Sequence, residues 1–189
     1  MAITRTTFFD VMASFPTGVA IVTTLDPEGR PRGLTTTAVS SVSAHPPMLL
    51  VCVDLASRTL AALRGRRRFV VNFMGQGTSD VCRLFATKAD DKFERVAWRP
   101  TGTGLPLLHE DVLAWAECCT IHDLEVGDHV ILVARVEAGG VVPEVDSPLM
   151  YYRRSWGVWS PVHEPGEEGV AIEAMEVSGR DLRWQGAEL

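Results

Sequence analysis

Apolar positions along this chain fall mostly into short β-branched runs separated by turn residues, and only briefly at helical intervals. Phe8, Val11, Met12 and Phe15 recur as on one face of a helix, which Pro16 stops. Residues 17–25 are β-branched and apolar and predict a strand. Asp26-Pro27-Glu28-Gly29 is turn chemistry that folds it into a hairpin with residues 32–43. Pro46 and Pro47 end that second strand, and residues 48–53 are a continuous apolar run suited to a buried strand. Ser57 is placed to cap a short helix through Leu63, ahead of a strand over residues 69–73. A second helix is predicted over residues 78–85, with Val81, Leu84 and Phe85 on one face.

Beyond Lys88 the pattern loosens. Residues 88–106 are polar and turn-rich and read as a surface loop. Residues 113–122 and 129–138 read as strands around an acidic turn at 123–128, with Val141 and Val142 prolonging that sheet. Residues 150–159 supply the last strand. Strands parted by turn signals, few short helices and no regular alternation of the two predict a mainly β chain folded as an antiparallel barrel. One domain is expected over residues 1–160. After Ser160 the composition shifts to Glu, Gly and scattered apolar residues, including Trp184. Residues 161–189 therefore read as a C-terminal extension, weakly ordered or docked on a partner or dimer mate.

Composition narrows the function classes. With 189 residues, 46% of them apolar, the chain suits one compact domain with a real core. A net charge of −6 argues against general nucleic-acid binding. Arg64, Arg66, Arg67 and Arg68 are a local exception, read first as a solvated turn and second as an anion contact. No apolar window is long enough for a membrane span, and no secretory h-region is visible, so a cytoplasmic protein is expected. The four cysteines lack C-x-x-C spacing, and free thiols are expected. His122 and His129 are able to face each other across a hairpin, but no third ligand accompanies them and no metal site is predicted. There is no G-x-G-x-x-G turn, Walker A loop, G-x-S-x-G elbow or H-E-x-x-H helix.

The stretch from Arg32 to Thr59 carries most of the chemical signal. Its first strand, R-G-L-T-T-T-A-V-S-S-V-S, offers hydroxyls and backbone with little bulk, as a wall for a flat polar ligand would. Its Ser57-Arg58-Thr59 piece joins hydroxyls, helix-start amides and a cation, which suits a phosphate. A flat ring beside a phosphate describes a flavin mononucleotide. Further landmarks are F-P-T-G-V-A-I-V-T-T at Phe15, F-V-V-N at Phe69, F-A-T-K-A-D-D-K-F at Phe85, G-D-H at Gly127 and P-L-M-Y-Y-R at Pro148.

In this order and spacing the landmarks resemble the flavin reductase-like, FMN-binding split-barrel family, over about Phe8 to Arg154. The chain looks most like the small reductase component of two-component flavin monooxygenases. The resemblance implies a Greek-key antiparallel split β-barrel with a few short helices, a homodimer, and flavin at or near the subunit interface. It also implies hydride transfer from NADH or NADPH to FMN or FAD, with reduced flavin passed to a separate monooxygenase. By the same resemblance Thr36, Thr37, Ala38 and Val39 line the isoalloxazine, and Cys52, Val53 and Asp54 border the ribityl chain. Ser57, Arg58 and Thr59 take the phosphate, and Phe85 and Lys88 meet the outer part of the flavin. His129 stands beside the nicotinamide as the one candidate catalytic residue, with Tyr152 and Arg153 in a nicotinamide-binding loop. Asp90-Asp91-Lys92-Phe93 is a family marker without an assigned catalytic role.

Several blander readings stand beside these. Thr36–Val39 also reads as an ordinary Thr-rich strand, Cys52 as a buried thiol and Ser57 as a plain N-cap. His129 reads equally as a strand-start histidine bonded to a neighbouring carbonyl. Two other functions remain open: a flavoprotein of the same fold that keeps its flavin as an oxygenase or oxidase, and a non-catalytic flavin-binding module. FMN against FAD, and NADH against NADPH, are not legible in the residues.

Overall fold

Alternation along the strands decides which residues face which side of the sheet, and here both sides are used. The structure is a computed structural model describing residues 2–143, 145 and 147–159; the expected extension at 161–189 lies outside the described residues. The chain opens with α1 (Arg5–Ala13), β1 (Thr17–Gly18), β2 (Ala20–Leu25), β3 (Pro31–Thr36), β4 (Val39–Ala44) and β5 (Pro47–Asp54). It continues through α2 (Leu60–Arg66), β6 (Arg68–Met74), α3 (Ser79–Ala86), β7 (Arg99–Pro100) and β8 (Pro106–Leu107). It closes with β9 (Val112–Val126), β10 (His129–Val141), β11 (Leu149–Tyr152) and β12 (Ser155–Val158).

Seven strands form one antiparallel sheet in the order β3-β2-β6-β9-β10-β5-β4. Its two edge strands, β3 and β4, are joined by Thr37 and Ala38 alone. So short a link forces the edges together, and the sheet curls into a barrel left open along the seam between β3 and β5. At the end of that seam the Cys52 amide donates to the Ala38 carbonyl at 3.0 Å. The chain is thus mainly β and antiparallel, as expected. A small sheet β1-β11-β12 and the pair β7-β8 flank the barrel.

Successive residues of β2 and β6 point into two different cores. Val22 and Val71 face the barrel interior with Val51, Val53, Phe69 and Leu132. Ile21 and Val70 face outward, under α3 and the segment that follows it, with Phe85, Leu105 and Leu108. This explains why residues 20–24 are buried without interruption. It also corrects the surface-loop reading of residues 88–106, because that segment covers the second core and buries Lys92 and Leu105.

Four further expectations change. The predicted strand 32–43 breaks at residues 37–38, where the Thr36 hydroxyl accepts the Ala38 amide at 3.0 Å and turns the backbone. The helix expected at Ser57 begins at Leu60, since Ser57 lies in a turn in which its amide donates to the Asp54 carbonyl at 2.9 Å. The acidic turn at 123–128 is mostly strand: Asp123 and Glu125 extend β9 because Arg64 holds them at 2.9 and 2.6 Å. Residues 150–159 are a hairpin, turning at Arg153 and Arg154 with φ of 46° and 63°.

The basic run is partly held by the chain itself and partly solvated, with Arg66 and Arg67 exposed. Arg64 grips β9, Arg67 donates to the Thr120 carbonyl at 2.9 Å, and Arg68 pairs with Glu137 at 2.8 Å. His122 and His129 do not face each other, since His122 is opposite Val133 and His129 is opposite Val126. All four cysteines are free, and burial pushes the Cys82 and Cys118 thiols up to about 12. The helix α1 is formed, yet none of its residues is buried.

Candidate functional site

A cavity of about 390 Å³ opens along the barrel seam, between β3, the end of β5, the turn before α2 and the C-terminus of α3. This volume lies within the range of small-ligand sites, roughly 300–1,000 Å³. The close packing of β3 against α3 shapes it. A Cβ built on Gly33 would lie 2.7 Å from the Phe85 ring and 3.2 Å from the Val22 carbonyl oxygen, so only glycine lets the strand approach.

The Gly33 carbonyl is the hub of the wall. It accepts from the Thr59 hydroxyl at 3.2 Å and from Lys92 Nζ at 3.2 Å. Lys92 also donates to the Phe85 carbonyl at 3.0 Å and so ties β3 to the end of α3. Burial lowers the pKa of Lys92, and the nearby Arg58 cation lowers it further. Behind it Phe85 packs edge-on against Phe93, with ring centroids 5.1 Å apart.

The structure gathers most of the sequence-predicted residues here. Thr36, Cys52, Val53, Asp54, Ser57, Arg58, Thr59, Phe85, Lys88 and His129 all border this cavity. Their bonding sorts them. The Thr59 hydroxyl is buried and donates to Gly33, so it has no proton left for a phosphate. The Ser57 hydroxyl accepts the Thr59 amide at 3.3 Å and keeps its own proton for another acceptor. Arg58 Nη1 donates to the Lys88 carbonyl at 2.8 Å and meets Asp90 at 3.4 Å. Asp54 turns the backbone, accepting the Ala56 amide at 2.7 Å. At the end of β10 His129 Nδ1 lies 2.7 Å from an Asp128 carboxylate oxygen. That hydrogen bond holds the Asp128 carboxyl below its usual range.

Thr37, Ala38 and Val39 fall elsewhere. They border a second, more apolar cavity of about 520 Å³, together with Phe9 and Met12 of α1 and with Tyr151. Cys52 borders both cavities, and burial raises its thiol pKa. Tyr152 and Arg153 border neither of the two; the Arg153 guanidinium lies over the Tyr152 ring at 5.3 Å, out on the β11–β12 turn. Within one chain they are not brought to the other site residues.

Sequence reading gave no site role to Arg32, Gly33, Asp90 or Lys92. A glycine inside a strand pattern is a signal of close approach and pointed to Gly33. Nothing local distinguishes a buried lysine from an exposed one. Charge gives the last feature: Arg32, Arg58, Lys88 and Lys92 border the first cavity against Asp54 and Asp90, in a chain of net charge −6. The site is cationic in an acidic protein, and its charge suits an anionic ligand.

Comparison with known proteins gives the family. The flavin reductase like domain family matches residues 12–160. The chain belongs to this family. It is 45% identical over 169 residues to the flavin reductase (NADH) of Kitasatospora aureofaciens, covering 89% of this chain and 88% of the relative. It is 34% identical over 180 residues to HsaB of Mycobacterium tuberculosis, the reductase subunit of a flavin-dependent monooxygenase, covering 94% of this chain and 95% of the relative. Among solved structures, the NADH:FAD oxidoreductase SgcE6 of Streptomyces globisporus, in complex with NAD and FAD fragments, superposes with a TM-score of 0.78. That match has 28% identity and covers 85% of this chain and 95% of the other.

Proposed function

We propose that this chain is an NAD(P)H-dependent flavin reductase that passes a hydride from NADH or NADPH to FMN or FAD and supplies the reduced flavin to a separate monooxygenase. The observation that carries the reading is the cationic seam cavity, with its small-residue β3 wall on one side and the Ser57-Arg58 turn on the other. Flavin supplies the hydride-accepting ring. The chain supplies placement. In this reading Arg58 and the Ser57 hydroxyl hold the phosphate, Asp54 and the β5 end border the sugar-like chain, and Thr36 marks where ring and backbone meet. Lys92 holds β3 against α3 and keeps the wall closed to water. His129, anchored through Nδ1 to Asp128, keeps Nε2 for the nicotinamide. Positioning of two rings with water limited is the main catalytic contribution such a site makes.

The second cavity supports extending the reading to a homodimer. Phe8, Phe9, Val11 and Met12 on α1 are all exposed, and Thr37–Val39 lie beside them. Covering that apolar surface with a second copy would bring the ring-lining segment to the subunit interface.

The test is nicotinamide absorbance over time with purified protein, with FMN, with FAD and without flavin. Rapid oxidation on adding flavin is expected; no oxidation with any pair overturns the reading, and flavin retained through dialysis with poor turnover favours a flavin-keeping oxygenase. Arg58→Ala should weaken FMN by roughly 1.5–3 kcal/mol, the worth of a charged hydrogen bond, while riboflavin, which lacks the phosphate, is spared.

A further inference from the structure

One carboxylate at the rim of the seam cavity has no role in that reading. Asp90 lies in the segment after α3, with its side chain 79% exposed. It borders both the seam cavity and a shallower groove on the far side of Arg32 and Arg58. Its Oδ1 stands 3.4 Å from Arg58 Nη1 and 3.8 Å from Arg32 Nη1.

The two arginines differ in what else holds them. Arg32 is clamped by Asp26, whose Oδ2 accepts from Nε at 3.1 Å and from Nη2 at 3.0 Å. Arg58 is held by the Lys88 carbonyl through Nη1 alone, and among the described residues Asp90 is its only carboxylate partner. Arg58 is therefore positioned by a neutral group and neutralised by one exposed, long ion pair. A contact of that kind is worth roughly 0–1 kcal/mol, enough to compete with a ligand anion and too little to exclude it.

We propose that Asp90 is a resident competitor for Arg58, occupying the place of the ligand's phosphate and weakening flavin so that it exchanges as a substrate instead of staying bound. The inference rests on the flavin reading above. When a phosphate arrives at Arg58, Asp90 must swing away or stand as a like charge beside it, and either cost falls on the phosphate alone. Riboflavin, with no phosphate, meets no such cost. A reductase that hands its product to another protein gains from this: binding that holds oxidised and reduced flavin equally tightly would slow release without speeding hydride transfer.

The experiment is flavin fluorescence titration of the full chain, with FMN and with riboflavin, for the wild type, Asp90→Asn, Arg58→Ala and the double variant. Asp90→Asn should bind FMN about three- to fivefold tighter, the upper range expected on removing one exposed competitor, with riboflavin changed by less than about twofold. The gain should vanish in the Arg58→Ala background. Unchanged or weaker FMN binding, equal tightening of riboflavin, or a gain that survives without Arg58 each overturns the proposal. If Arg58→Ala weakens FMN while Asp90→Asn is silent, only the competitor fails. If Arg58→Ala leaves FMN untouched, the phosphate assignment fails with it.

Discussion

The two cavities meet at Cys52 and are built on different principles. The seam cavity is walled by groups that other parts of the same chain already hold. The Gly33 carbonyl takes Thr59 and Lys92, the Phe85 carbonyl takes Lys92, and Arg58 rests on the Lys88 carbonyl. Its backing is a fully buried aromatic, Phe85. The second cavity is walled by side chains of α1, a helix with no buried residue, and by the exposed pair Thr37 and Ala38. Among the described residues, the chain finishes the first wall and leaves the second uncovered. The difference separates a wall held by hydrogen bonds and a buried ring from a wall of exposed side chains.

The sharpest way to break that contrast is to remove its backing. Phe85→Ala should cost about 3–5 kcal/mol in urea unfolding, because a fully buried ring leaves a cavity under Gly33 that β3 is too constrained to fill. A loss no larger than that of an exposed aromatic would mean the first wall is not held by the core. The next effect belongs to the other cavity. If a second copy covers α1 as proposed, Phe9→Asp should leave the fold of the single chain intact and raise the dimer dissociation constant. The loss should be about 1 kcal/mol of apolar burial per subunit, since Phe9 is 45% exposed in the single chain. Sedimentation across a concentration series reads this directly. If the sedimentation of wild type and variant coincides, α1 is not the assembling surface.

The same contrast marks what the sequence could tell. The barrel strands were legible as short apolar runs, as in residues 48–53, which alternate half-buried and buried, and 69–71, which are buried on both faces. The small-residue wall and the Arg58 turn were legible because hydroxyls, glycine and cation sit together in one segment. What escaped was set by distant partners. Asp123 and Glu125 read as a turn, yet Arg64 from α2 keeps them in a strand. The turn at Arg153 and Arg154 takes positive φ at two residues that carry no glycine or asparagine signal. Lys92 sits in a polar stretch and is buried by carbonyls that lie 59 and 7 residues away in the chain. The periodicity of Phe8, Val11, Met12 and Phe15 was real, but among the described residues all four stay exposed.

The smallest effect concerns acid, and it tests whether the first wall extends to its outer corner. Asp26 is nearly buried, and burial alone would raise its pKa; the Arg30 amide, the Arg30 guanidinium and Arg32 donate to it and outweigh that, bringing it to about 2 from an ordinary 3.8. The sign follows from proton counting. Between those two values the unfolded chain binds a proton that the folded chain refuses, so the folded state loses ground as pH falls. The contribution is complete above about pH 4 and disappears on the way down to about pH 2. Asp26→Asn removes the titrating group while keeping its shape. The urea midpoints of wild type and variant should therefore stand furthest apart above pH 4 and converge as the solution approaches pH 2. Because Asp26 also clamps Arg32, the variant should loosen Arg32 at neutral pH and leave it to Asp90. Parallel midpoint profiles at every pH would show that Asp26 holds no proton-linked stability, and that the Arg32 side of the cavity is as loosely built as the α1 side.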